Sequence, residues 1–261
     1  MSASAAESEN HQRETASADH RIVVFSVDDD PEKLTQVLIA SSEFDRVAAR
    51  RIVRALPGII PGNLTRTAAA TLADDIRKLG LHATAVAATE VPDLSHPMQT
   101  HHLCAGDSSL EVMDGMTEHR SWPWGAVAVI SIGVVPSSAP ARHRSAPALA
   151  QSSSHKLWNE GVTIDAKRHP EALVVFAADR AVVAFASDEM NYEYLGSRMT
   201  GASSANFRQL VKDLVAHAPD AWVTPSTRAF LDRSPTRHFE FRSRDDFRRY
   251  TEFQTLLSEL P

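Results

Sequence analysis

A single cysteine, Cys104, stands in 261 residues. An intrachain disulfide is therefore excluded, and the composition fits a reducing compartment. No stretch approaches the roughly 18 consecutive apolar residues that a membrane-spanning helix needs, so no membrane span is expected. The opening "MSASAAESENHQRETASADH" lacks an apolar core and has one basic residue, Arg13. That argues against a secretory signal and predicts a disordered tail over residues 1–20, with a cytoplasmic location for the protein. Positive charge is never in excess. The net charge is −6; residues 1–20 and 92–165 are acidic, and the other two blocks balance. Such a chain has no global attraction to nucleic acid or anionic lipid. Motifs that specify a reaction are missing as well. There is no Gly-x-Ser-x-Gly nucleophile elbow and no phosphate loop ending in Gly-Lys-Ser/Thr, so no catalytic residue, cofactor or metal is assigned and a non-enzyme is expected.

What is present suggests two domains of about 100 to 150 residues each. From Arg21 to Val27 the β-branched and aromatic content predicts a strand. The acids that follow, Asp28, Asp29 and Asp30, sit where a helix must begin. Asp30 suits the cap, Pro31 the first turn, and the other two the positive end of the helix dipole. Helical spacing recurs through Leu34, Val37 and Leu38, and again through Phe44, Val47, Ala48, Ile52, Val53 and Leu56. "PGIIPGN" then reads as a brief edge strand or turn. "LTRTAAATLADDIRKLG" predicts a helix with Asn63 or Thr65 as cap, Ala69, Leu72, Ala73, Ile76 and Leu79 as apolar face, and Gly80 as stop. "LHATAVAA" closes the unit as a strand.

The stretch "VVFSVDDDPEKL" resembles the opening of a two-component receiver domain, whose acids hold Mg²⁺ beside a phosphorylated Asp. A receiver also needs an Asp at a strand end roughly 45 residues on. Here Asp74 and Asp75 fall inside a helical pattern and Asp93 comes too late, so the acids are read as a cap. The order strand, helix, helix, short strand, helix, strand, with "RIVRALPGIIPGNLTRTAAATLADDIRKLGLHATAV", resembles the C-terminal domain of the bacterial ribosomal stalk protein. The same fold serves a protease adaptor that reads N-terminal degradation signals. The resemblance covers residues 21–91 and implies a small protein-binding module. The stalk family's glycine-leucine-lysine motif is absent, with "SSEFDRVAARR" in its place, so a binding role is carried over and translation-factor binding is not.

"EVPDLSHP" predicts a linker over 92–100. Beyond it "HHLCAGDSSLEVMDG" and "HRSWPWGAVAVISIGVV" read as strands, with Leu110 and Val112 alternating and a buried strand over Ala126 to Val135. A turn is expected at Gly115. The Ser-, Ala- and Pro-rich stretch predicts a flexible loop near 136–155. Strand patterns return in "LWNEGVTID", and in "EALVVFAA" and "AVVAFAS", which form a hairpin around "DR". A helix follows with Phe207, Leu210, Val211, Leu214 and Val215 on one face. "RHFEFRS" predicts a strand with Phe239 and Phe241 on one face, and the last helix a stripe of Phe247, Tyr250, Phe253, Leu257 and Leu260. This strand order resembles a bacterial pleckstrin-homology-type barrel, which implies a protein-, peptide- or lipid-binding domain or a scaffold over 101–261. The fold class expected for the chain is α+β: a small mixed unit, then an antiparallel barrel with C-terminal helices.

The candidate contact residues are few. Arg46, Arg50 and Arg54 recur every four residues, with Arg51 beside them, and could meet an acidic partner or phosphate; a solvated helix face is the alternative. Trp122 and Trp124 flank Pro123 and serve either as core anchors or as an exposed ligand platform. His102 and Cys104 share a strand face, but two ligands do not make a zinc site. Arg228 to Tyr250 interleaves arginines with aromatics, the pattern nearest to a nucleic-acid surface, yet the aromatics fall at core spacing. The leading expectation is an adaptor or scaffold with an unknown protein partner. RNA or DNA binding, and an enzyme whose residues converge only in three dimensions, are the alternatives.

Overall fold

The computed structural model describes residues 19–27, 30–113, 119–137 and 168–260. The chain is α+β. Its first strand, β1 (His20–Val24), is central in a three-stranded antiparallel sheet, flanked by β2 (Gly58–Leu64) and β3 (Ala83–Ala87). Helices α1 (Pro31–Ala40), α2 (Arg46–Val53) and α3 (Arg66–Lys78) connect these strands. The caps predicted at Asp30 and Thr65 form, and Asp45 caps α2 as well. Asp30 accepts from the Glu32 N–H, Asp45 from Ala48 and Thr65 from Ala68, each satisfying an amide that the helix cannot. Asp28 and Asp29 lie outside the described residues. "PGIIPGN" is longer than a turn: it forms most of β2, with Ile59 and Ile60 opposite Val23 and Ile22. Gly62, at φ +113°, bends the exposed part of that strand.

One face of this sheet carries Ile22, Val24 and Ile60 onto the inward sides of the three helices, Leu34 and Leu38, Ile52 and Val53, and Leu72 and Ile76. This is a core built by one continuous stretch of sequence. The other face carries Val23 and Ile59, and most of what covers them comes from the opposite end of the chain.

The rest of the described chain makes two sheets in place of the single closed antiparallel barrel that was expected. Strands β5 (His102–Ala105), β6 (Ser109–Met113) and β7 (His119–Pro123) form an antiparallel meander. A larger sheet contains β4 (Met98–Gln99), β8 (Val127–Pro136), β9 (Arg168–Phe176), β10 (Val182–Ala186) and β11 (Trp222–Val223), in the order β11-β8-β9-β10-β4. Its centre is antiparallel, but β4 joins β10 and β11 joins β8 in parallel. Two short parallel edge strands end the sheet on either side, so its edges do not meet. Segment 92–100 is packed and does not behave as a free linker. Leu94 is fully buried, and Met98 and Gln99 supply β4. The loop expected near 136–155, the strand expected in "LWNEGVTID" and the turn at Gly115 fall in or extend into stretches outside the described residues.

Helix α4 (Ser203–His217) packs Phe207, Leu210, Val211 and Leu214 on one face of the large sheet, with Phe230 of α5 (Pro225–Leu231) beside them. Helix α6 (Arg244–Ser258), capped by Ser243 accepting from the Asp246 N–H, packs on the opposite face. "RHFEFRS" makes a single-turn 3₁₀ helix over Thr236–His238 and a lone bridge to β8. Because the turn breaks strand alternation, Phe239 joins the α4 side of the sheet and Phe241 the α6 side.

The stripe expected on α6 proves to be two faces. Phe247 and Tyr250 lie on the large sheet, Phe253 and Leu257 lie against Val23 and Ile59 of the first sheet, and Leu260 is exposed. The helix is therefore a layer shared by two sheets, which explains its buried polar residues. Thr251 donates to Ser131 Oγ at 2.9 Å, the Trp222 indole donates to Gln254 at 3.0 Å, and Glu252 lies 3.9 Å from Arg21 of β1. Burial raises the Glu252 carboxyl above the ordinary glutamate range, against the opposing pull of Arg21. The approach to the large sheet is close enough to require glycine: a Cβ on Gly133 would meet the Phe247 ring at 2.6 Å.

Candidate functional site

The side of α2 turned to the core is apolar, formed by Ala49, Ile52 and Val53. The side turned outward is basic. Arg46, Arg50, Arg51 and Arg54 are all exposed, and Val47 beside them is 78% exposed. Side chains four apart on a helix lie about 5–6 Å from each other at Cβ, so Arg46, Arg50 and Arg54 make one row. Glu43 could have neutralised part of it, but among the described residues none of the four arginines makes an ion pair. Several arginines elsewhere are matched. Arg77 pairs with Asp74, Arg168 with Glu240 and Arg198 with Asp213, each at 3.0 Å or less. The α2 row is thus a concentration of like charge that the rest of the described chain does not offset.

The two tryptophans are anchors. Trp122 stacks on Phe176 with centroids 4.4 Å apart and donates its indole N–H to Asp179. That bond and the Ala181 N–H, the larger influence, hold the Asp179 carboxyl below its ordinary range. Trp124 is buried, stacks on His217 and donates to the Gly106 carbonyl at 2.9 Å. Both rings tie the meander to the large sheet, one to β9 and its turn, the other to α4. With both N–H groups and one face of each ring engaged, the geometry favours the anchor reading of this pair.

His102 and Cys104 do share the open face of the meander, facing Met113 and Glu111 across the register. Together with His119 and Tyr194 they line a shallow hollow of about 170 Å³. Burial pushes the Tyr194 hydroxyl well above its ordinary range, helped by Asp213, to which it donates. Among the described residues no three His, Cys, Asp or Glu side chains are grouped to hold a metal.

Of the C-terminal arginines, Arg244 pairs with Glu171, Arg248 with Asp245 and Arg249 with Asp246. Of the aromatics among them, Phe230, Phe239 and Phe247 are buried, and Phe241 and Tyr250 are half-buried against the core. Bases could not stack on rings that already fill a core.

A polar cluster that the sequence reading passed over lies where α6 begins. His169 is 3% exposed and has no hydrogen bond at either ring nitrogen; Glu171 lies 3.8 Å from one and Asp188 3.7 Å from the other. Arg244 approaches the same Glu171 oxygen at 2.8 Å. A signal for it exists in the sequence: His169 and Glu171 occupy alternate positions of β9 in register with the buried Leu173 and Val175, so they face inward. The cluster fastens the first turn of α6 to the sheet. Among the described residues no helix is long and apolar enough to cross a membrane. Comparisons with protein-family models, curated proteins and solved structures find no match to this chain.

Proposed function

We propose that the chain is a non-catalytic protein-interaction protein, an adaptor or scaffold, that meets an acidic surface of a protein partner through Arg46, Arg50 and Arg54. The observation that carries the reading is the concentration of exposed arginines on one side of α2, none of which makes an ion pair among the described residues. A row of like charges steers an oppositely charged partner and fixes its register. The stalk- and adaptor-like resemblance of residues 21–91 points the same way. Nucleic acid is the less favoured partner, because the net charge is −6 and the aromatics of the C-terminal arginine stretch are committed to the core.

Affinity capture from nuclease-treated lysate of the source organism, with the native chain and with the triple substitution of Arg46, Arg50 and Arg54 to Glu, tests the reading. Specific partners should be lost with the variant while its melting temperature stays near that of the native chain. Equal recovery would make the row a solvated face. Binding of a mixed-sequence RNA or DNA that falls steeply between two salt concentrations would favour nucleic acid instead.

A further inference from the structure

Independently of the arginine row, a hollow of about 380 Å³ opens where the C-terminal end of α6 meets the edge of the large sheet. Its volume lies within the range of about 300–1,000 Å³ usual for small-molecule sites. The hollow exists because three alanines line it, Ala128, Ala177 and Ala221, where larger side chains would fill it. The Trp222 indole forms one wall. Its N–H is fixed to Gln254 while the residue remains 36% exposed, so the ring presents a held apolar surface.

Charges of both signs surround this apolar interior. Arg228 and Arg180 contribute guanidinium groups, and Asp220 and Glu259 contribute carboxylates. Arg180 is already engaged, donating to the Thr89 carbonyl at 3.2 Å. Arg228, Asp220 and Glu259 make no ion pair among the described residues, although they line one hollow. Opposite charges that do not pair with each other around a partly apolar cavity match a molecule with separated charges and an apolar body. We infer that this hollow binds a short apolar peptide with free termini, its carboxylate on Arg228, its ammonium toward Asp220 or Glu259, and its side chains over the alanines and Trp222. A guanidinium recognises a carboxylate with two parallel hydrogen bonds, which makes Arg228 the residue that selects for a free C-terminus.

Isothermal titration calorimetry of the full chain with the dipeptide Leu-Leu tests this, alongside its N-acetylated and C-amidated forms. The free dipeptide should bind, and either block should weaken it about tenfold or more, the effect of removing a charge-assisted hydrogen bond. Arg228→Gln should weaken the free dipeptide equally and abolish the distinction between acid and amide, and Ala177→Leu should fill the hollow and remove binding. The inference is overturned if the free dipeptide shows no binding at about 10 mM, if blocked and free forms bind alike, or if Arg228→Gln binds as the native chain does. The blocked peptides need no variant, so the test stands even if a substitution disturbs folding.

Discussion

The two faces of the first sheet are completed from different distances along the chain. Ile22, Val24 and Ile60 are covered by α1, α2 and α3, the helices that connect the strands themselves. Val23 and Ile59, their neighbours on the opposite face, are covered by Phe253, Leu256 and Leu257 of the last helix, with Val91 from the connection. The first face is an ordinary local core. The second makes residues 21–91 dependent on a helix that also serves the second unit, so the boundary drawn at 92–100 separates the sequence more cleanly than it separates the fold.

Removing Phe253 gives the sharpest expected break in that picture. Phe253→Ala should cost about 3–5 kcal/mol, as large aromatic truncations in cores do, and equilibrium denaturation should show the loss in a single transition that reports on both units. If only the second unit shifts, the helix does not support the first sheet. Gly133→Ala acts on the other side of α6. The new Cβ would meet Phe247 at 2.6 Å and Phe241 at 2.8 Å, forcing the helix away from the sheet. Overpacking of this kind costs about 1–3 kcal/mol, measured as a lowered denaturation midpoint with unchanged slope.

A smaller effect is expected at Glu252, which is tied to Arg21 across the junction. Burial raises its carboxyl above the ordinary glutamate range, so between the ordinary and the raised value the folded chain binds more proton than the unfolded one. The contribution of Glu252 to stability must then fall as pH rises through that window. Glu252→Gln should flatten this part of the pH–stability curve; an unchanged slope would show that the side chain ionises as freely in the folded chain as in the unfolded one. The smallest change belongs to the outer side of α2, where replacing Arg46, Arg50 and Arg54 by Glu should move stability by less than about 0.5 kcal/mol in the same denaturation experiment. A larger loss would mean that the row packs against the unit and is not a free surface.

What could be read from the sequence follows the same division. The caps at Asp30 and Thr65, the inward face of α3 and the hairpin of β9 and β10 are set by residues a few positions apart, where periodicity and capping chemistry act; on α2 the expected Val47 is exposed and Ala49 is buried in its place. The arginine row was legible for the same reason, since a helical repeat of four implies a shared face. Pairings between remote segments were not. Nothing local in "VPDLSHPMQ" announces that Leu94 will be buried or that Met98 and Gln99 will extend the large sheet, and the apolar residues of α6 looked like one stripe because spacing cannot distinguish one neighbour from two. Phe239 and Phe241 misled in the opposite way: alternation placed them together, and a short 3₁₀ turn parted them. Tryptophan spacing likewise left anchor and platform open, and only the stacking on Phe176 and His217 decides between them.

The shared role of α6 is tested most directly by native-state hydrogen exchange on Gly133→Ala, a change confined to β8. If the helix is one layer common to both sheets, amides of β1 and β2 such as Ile22, Val24 and Ile60 should lose protection together with those of β8 and β9. Protection in β1 and β2 that stays at the native level while β8 and β9 open would contradict the account and make residues 21–91 a unit that stands without the last helix.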